Sequence, residues 1–319
     1  MMNPDQPRLD ENTSLQIQSE SGLARLPNNE SSALTEIINR SLVHIQTSKA
    51  LEMRHRVGEH ELCWPDYRLV CAIAEDVRLP PKEALKRLLL STSRGSSSWD
   101  TRIEDGRLKA LQVDRDTLPL SSIPFIEGLV VEILDLQFQE SFSGFDLSMF
   151  PNLTELLCTD NRLAELDLSH VPKLAKLTCY SNHLTKLDLS HVPNLMELWC
   201  FSNHLTELDL SHVPNLTALW CHCNQLTELD LSYVPNLTAL LCFGNQLTEL
   251  NLSHLSNLRE LWCWDNHLTK LNLTATPNLT LLKCSDNCLT ELDIRNIQNL
   301  EDLEYDPAVR LIQRADQDF

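Results

Sequence analysis

Seven cysteines recur at one fixed interval: Cys158, Cys179, Cys200, Cys221, Cys242, Cys263 and Cys284, each 21 residues after the last. Thiols at such a spacing have three possible chemistries. Neighbours on stacked segments about 4.8 Å apart would be near enough for disulfides, yet side chains held in parallel register point the same way, and seven cannot all pair. A metal site needs about four ligands converging on one point, and a straight column disperses them. The third chemistry is none: cysteine as a small, polarizable core residue, which suits a column turned inward and is the favoured reading. Cys223 and Cys288 fall outside the column. They are expected to be exposed, and neither has a partner that would make it a nucleophile.

A second set of residues could bind rather than react. The position before each column cysteine carries Leu157, Thr178, Trp199, Trp220, Leu241, Trp262 and Lys283, and the position after carries Thr159, Tyr180, Phe201, His222, Phe243, Trp264 and Ser285. Side chains alternate along an extended segment, so both sets face away from the thiols. Tyr180, Trp199, Phe201, Trp220, His222, Phe243, Trp262 and Trp264 would then form a continuous patch, with four of the six tryptophans of the chain. Aromatic side chains carry ~150–250 Å² each, so even half covered the patch would expose on the order of 600–900 Å². Tryptophan and tyrosine dominate binding hot spots. The competing reading is cross-strand stacking that merely stiffens a sheet. Glu155, Lys176, Glu197 and Glu260 border the patch on one side and Asp160, Asp265 and Asp286 on the other, a mostly acidic rim suited to a basic-rimmed protein partner.

What must position these residues is a repeat. From Phe145 the chain reads LxxLxCxxNxL followed by TxLxLSxxPN, and Leu156 recurs at 177, 198, 219, 240, 261, 282 and 303. Looser copies at Leu108-x-x-Leu111-x-Val113 and Val131-x-x-Leu134-x-Leu136 would make ten rungs. A fixed period of this kind specifies a solenoid, whose units cannot bury their apolar faces alone and must stack. Within Leu198-Trp199-Cys200 the alternation sends Leu198 and Cys200 inward and Trp199 outward, with Leu195 and Leu205 filling the same interior. Asn161, Asn182, Asn203, Asn224, Asn245, Asn266 and Asn287 form a ladder able to tie turn backbone groups of one coil to the next. Prolines at 151, 172, 193, 214, 235 and 277 remove a donor from each return segment, favouring an extended convex side over long helices. Histidines repeat as His170, His191, His212 and His254, and as His183, His204 and His267. A pH-sensing stripe is one reading; duplication of a repeated unit is the simpler one. The Asn-Leu-Thr triplets at Asn152, Asn215, Asn236 and Asn278 match a glycosylation acceptor and are read as by-products of the repeat.

The pattern resembles the leucine-rich repeat family over roughly residues 106–312, and its cysteine column resembles the 21-residue repeats of internalin J. The resemblance implies an α/β solenoid, a horseshoe with a concave parallel sheet. A helical N-terminal segment followed by repeats also resembles bacterial effectors, of Legionella type, that act inside host cells. The acidic stretch Leu300-Glu301-Asp302-Leu303-Glu304-Tyr305-Asp306 resembles, weakly, the glutamate-rich ends of proteins exported by type IV machinery, and it reads equally as a polar C-terminal cap.

Four regions are expected. Residues 1–31 are polar and poor in apolar side chains, hence a disordered tail. Residues 32–100 read as a small α-helical cap, with helices near 33–51, 65–77 and 82–90 and a serine-rich linker at 91–98. Residues 101–312 are the solenoid, its clear repeats starting at 145, and 313–319 a short tail. Net charge is −19 over 319 residues, and residues 145–319 alone hold ten basic and 23 acidic side chains, a net −13. Lys and Arg cluster nowhere enough to track phosphates, which excludes nucleic acid as the expected partner. No apolar run reaches the roughly 18 residues of a membrane span. The start lacks the pattern of a secretory leader, and eleven cysteines, an odd number, suit a reducing cytosol, including a host cytosol. With no phosphate loop, zinc spacing or triad, the chain is expected to be a non-enzymatic protein-binding scaffold, without catalytic residues, metal or cofactor. The alternative is an enzymatic or adaptor module within residues 33–100 targeted by the repeats. Carbohydrate binding by the aromatics is a third reading.

Overall fold

The computed structural model describes residues 54–57, 60–63, 102–104, 107–112, 131–136 and 146–317. The expected tail at 1–31, the helices near 33–51, 65–77 and 82–90, and the linker at 91–98 lie outside the described residues. Within the span read as helical, the described residues are instead an antiparallel pair, β1 (Arg54–Val57) and β2 (His60–Cys63). Leu62 of β2 is wholly buried in the same core as the repeats.

The repeats build one sheet. Its strands are β3 (Arg102–Glu104), β4 (Arg107–Gln112), β5 (Ile133–Asp135), β6 (Glu155–Leu157), β7 (Lys176–Thr178), β8 (Glu197–Trp199), β9 (Ala218–Trp220), β10 (Ala239–Leu241), β11 (Glu260–Trp262), β12 (Leu281–Lys283) and β14 (Asp302–Glu304), in that spatial order. All neighbours are parallel except β3 and β4. The register follows the leucines: Leu111 faces Leu134, which faces Leu156, then Leu177 and Leu198. β13 (Glu291–Asp293) and β15 (Arg310–Ile312) pair separately at the C-terminal end.

The core is a stack of near-identical layers. In one coil Leu195, Leu198, Cys200, Leu205, Leu208, Leu210 and Val213 are buried, and no such layer is closed without its neighbours. The seven column cysteines belong to this core and are free thiols. Burial pushes Cys158, Cys221 and Cys284 up to about 12 and holds the four between them well above the ordinary thiol value. They are packing residues, neither paired nor nucleophilic.

Asparagine ties the coils together. The Asn203 amide donates to the carbonyls of Cys179 in the preceding coil and Cys200 in its own, both at 3.1 Å, while its oxygen accepts from the Leu184 amide at 3.0 Å. The same three bonds recur at Asn182, Asn224, Asn245 and Asn266. The residue before each asparagine turns the chain sharply: Asp160, Ser181, Ser202, Cys223, Asp265 and Asp286 have φ of 51–53° and Gly244 61°. Small polar residues and glycine bear that left-handed conformation at least cost.

Among the described residues there is no α-helix, so the α part of the expected α/β solenoid is absent there; a single 3-10 turn covers Leu147–Met149. The reason is local. Each return segment is a chain of tight turns, in which the Asp188 carboxylate accepts from the Ser190 amide at 2.9 Å and Val192 and Leu195 donate to Leu189 and Val192. The proline at 193 follows directly, leaving no run of free donors for a helix. Of the tail expected at 313–319, residues 313–317 are tied back. Arg314 donates to the carbonyls of Arg295 and Ile297, and Gln317 to those of Ile294 and Ile297.

Candidate functional site

The concave face carries three columns of side chains, set by the pleat. The first strand residue supplies Glu155, Lys176, Glu197, Ala218, Ala239, Glu260 and Leu281; the third supplies Leu157, Thr178, Trp199, Trp220, Leu241, Trp262 and Lys283. The residue after each cysteine supplies the third column, from Thr159 to Ser285. All eight proposed contact residues lie on this face and all are half-buried. The two exposed large apolar side chains of the described residues, Met196 and Tyr233, lie off this face.

The rings are stacked, more tightly than composition alone suggested. Tyr180, Phe201, His222, Phe243 and Trp264 form one continuous pile with centroids 4.2–4.4 Å apart and planes within 17°. Trp199 and Trp220 stack at 4.3 Å and 4°. Tilted contacts join the two columns, Phe201 to Trp220 at 6.4 Å and Phe243 to Trp262 at 6.2 Å. Ammonium groups close the ends of the tryptophan column: Lys176 lies 4.7 Å from the Trp199 ring and Lys283 5.0 Å from that of Trp262, a favourable cation–π placement. Most of these ring faces are thus turned to another ring or to a lysine.

Each lysine is held by acids of the next coil. Lys176 pairs with Glu197 at 2.7 Å, and Lys283 lies 3.3 Å from Glu304 and 3.9 Å from Asp302. These two lids were not legible as such, although the alternation of Glu, Lys and Glu at 155, 176 and 197 contained the signal. Burial drives His222 down to about 4, so the imidazole between the two phenylalanines is neutral near pH 7. Its Nδ1, with the Nε1 atoms of Trp199 and Trp262 and the hydroxyls of Thr159 and Thr178, is buried without a hydrogen-bond partner among the described residues. Toward the N-terminal coils the face closes: Asp135, Leu157, Thr159 and Thr178 are buried. The accessible part begins at Tyr180.

Histidines elsewhere stay dispersed. His191 and His212 are exposed and lie 2.9 and 3.0 Å from the hydroxyls of Ser190 and Ser211, and His183 stacks in parallel with His204 at 5.6 Å. Among the described residues no three His, Cys, Asp or Glu side chains gather where a metal ion could be held. Cys223 and Cys288 are exposed, and partial burial raises the Cys223 thiol rather than activating it.

No protein-family model matches the chain, and no curated protein matches it. Solved structures do. The functional domain of InlJ from Listeria monocytogenes, described as including a cysteine ladder, is 36% identical over 60% of this chain and 42% of that one, with a TM-score of 0.51. The chain thus spans about two fifths of the InlJ domain. Internalin C2 from the same organism is 21% identical over 75% of this chain and 92% of its own, at a TM-score of 0.48. YopM from Yersinia enterocolitica is 29% identical over 58% and 46%, at 0.44. The chain is a parallel β-solenoid whose cysteine-bearing 21-residue repeats are similar to those of the leucine-rich-repeat protein InlJ and its cysteine ladder.

Proposed function

We propose that the chain is a non-enzymatic scaffold that docks a protein partner on the concave face between Tyr180 and Trp264. The observation that carries this reading is the concentration of eight half-buried rings on one face with an acidic frame. Rigid, prestacked rings lose little conformational freedom on binding, and their edges bear the positive side of the ring quadrupole. They suit backbone carbonyls and aromatic faces of a polypeptide. A sugar lies flat on an open ring face, and here those faces are turned to one another, which disfavours the carbohydrate reading. The frame, with Asp160, Glu260, Asp265 and Asp286, favours a partner bearing a basic rim and disfavours nucleic acid.

A capping role for the hairpin of β1 and β2 is supported by Leu62 entering the core of the repeats. The compartment is reducing, in keeping with described cysteines that are all free. The plan suits a bacterial effector, or a regulator of one, acting in a host cytosol. The test is affinity capture from host-cell lysate with the wild-type chain and with Trp199→Ala/Trp220→Ala/Trp262→Ala, after far-UV circular dichroism has shown both to be folded. Proteins held by the wild type and lost from the variant support the reading; equal capture by both refutes it.

A further inference from the structure

The first column of the concave face changes character midway. It runs Glu197, Ala218, Ala239, Glu260 along four adjacent strands in register, so two methyl groups floor a step bounded by two carboxylates. Strand spacing puts those carboxylates about 14 Å apart. Trp220 and Leu241, two residues along the same strands, wall the step. The carboxylates differ. Glu197 is already neutralised by Lys176 at 2.7 Å, whereas Glu260 is exposed and makes no ion pair among the described residues.

We propose that the Ala218–Ala239 step is the seat of an arginine side chain presented by the docking partner, with its guanidinium paired to Glu260. This inference rests on the docking reading and narrows it to one anchor. Charge and shape both select the occupant. A cation is favoured opposite an unpaired carboxylate set in an acidic frame. The floor of methyl groups and the indole wall suit the weakly hydrated planar guanidinium and its aliphatic stem better than a compact ammonium. A planar fork also meets the carboxylate through two parallel hydrogen bonds. Of the two carboxylates that bound the step, Glu197 is held by Lys176, so Glu260 is the one left for the partner's cation to address.

The probe is N-acetylarginine amide, titrated into the full chain to ~100 mM, the range in which a single exposed ion pair is seen. Indole N–H resonances are read by NMR and assigned with Trp220→Phe and Trp262→Phe. Saturable shifts at Trp220 and Trp262, larger than at Trp199, absent with the citrulline analogue and weakened roughly threefold or more by Glu260→Gln or Ala239→Leu, support the seat. Equal responses to arginine and citrulline, a response unchanged in Glu260→Gln, or no response overturn it. If these fail while the triple-tryptophan variant still loses its captured protein, the arginine seat falls and the docking surface stands; if the triple variant loses nothing, the docking reading itself has failed.

Discussion

Trp199 and Trp220 lie face to face, their ring centroids 4.3 Å apart and their planes 4° from parallel. That one relationship decides how the concave face can be used. An indole with both faces covered is not a platform for a flat ligand; it is a rigid edge. The Lys176 ammonium 4.7 Å from the outer face of Trp199 completes the cover.

The asparagine ladder carries coil-to-coil cohesion. Asn203→Ala leaves the Cys179 and Cys200 carbonyls and the Leu184 amide without their partner inside the core, and each unmade buried bond costs about 1–3 kcal/mol. A loss on the order of 3 kcal/mol or more is expected from the urea midpoint followed by circular dichroism. Asn287→Ala, at the half-buried last rung of the ladder, is expected to lose less.

Thiol accessibility separates packing from chemistry. In the folded chain, N-ethylmaleimide should modify Cys223 and Cys288 and spare the seven column cysteines, as mapped by mass spectrometry of the peptides. Because burial raises the column thiols, Cys221 to about 12 and Cys179 well above its ordinary value, their contribution to stability is complete below the unfolded value near 9.0. It is lost as pH rises from there toward 12. Alkaline unfolding beginning above about pH 9 is the expected outcome, and modification of the column in the folded state at pH 7 would contradict it.

His222 sets an acid-side window. It lies 4.2 Å from both Phe201 and Phe243, and burial holds it at about 4 against an ordinary 6.5. Its neutral form is favoured by folding, so the stability it contributes is present above pH 6.5 and falls away as pH drops toward 4. His222→Phe should flatten the stability profile between pH 6.5 and 4 while preserving the stack, measured as Tm against pH. An unchanged slope would show that the imidazole titrates normally.

Much of this fold was legible because period and parity are simple. The leucines at 156 through 303 mark the register of the strands, and alternation about Cys200 sends Trp199 and Phe201 to one face. What parity could not supply was the third dimension of that face. Whether Phe201 and His222 stack or splay depends on side-chain rotation, which no spacing encodes. The left-handed column escaped notice because its members, Asp160, Ser181, Cys223 and Gly244, share a backbone requirement and not a residue type. Helices read from apolar spacing at 33–51 and 65–77 fall outside the described residues, while the hairpin at 54–63 carries no alternation strong enough to announce it. Arg314 looked like a tail residue, yet it donates to the Arg295 and Ile297 carbonyls.

The central claim is that the partner sits in the concavity. A photo-crosslinking amino acid placed at Phe243, in the middle of the ring column, and in a second variant at Tyr233, on the convex turn, tests where the captured protein lies. The account predicts a covalent adduct with that protein from position 243 and none from 233. Crosslinking from 233 with silence at 243 would contradict it.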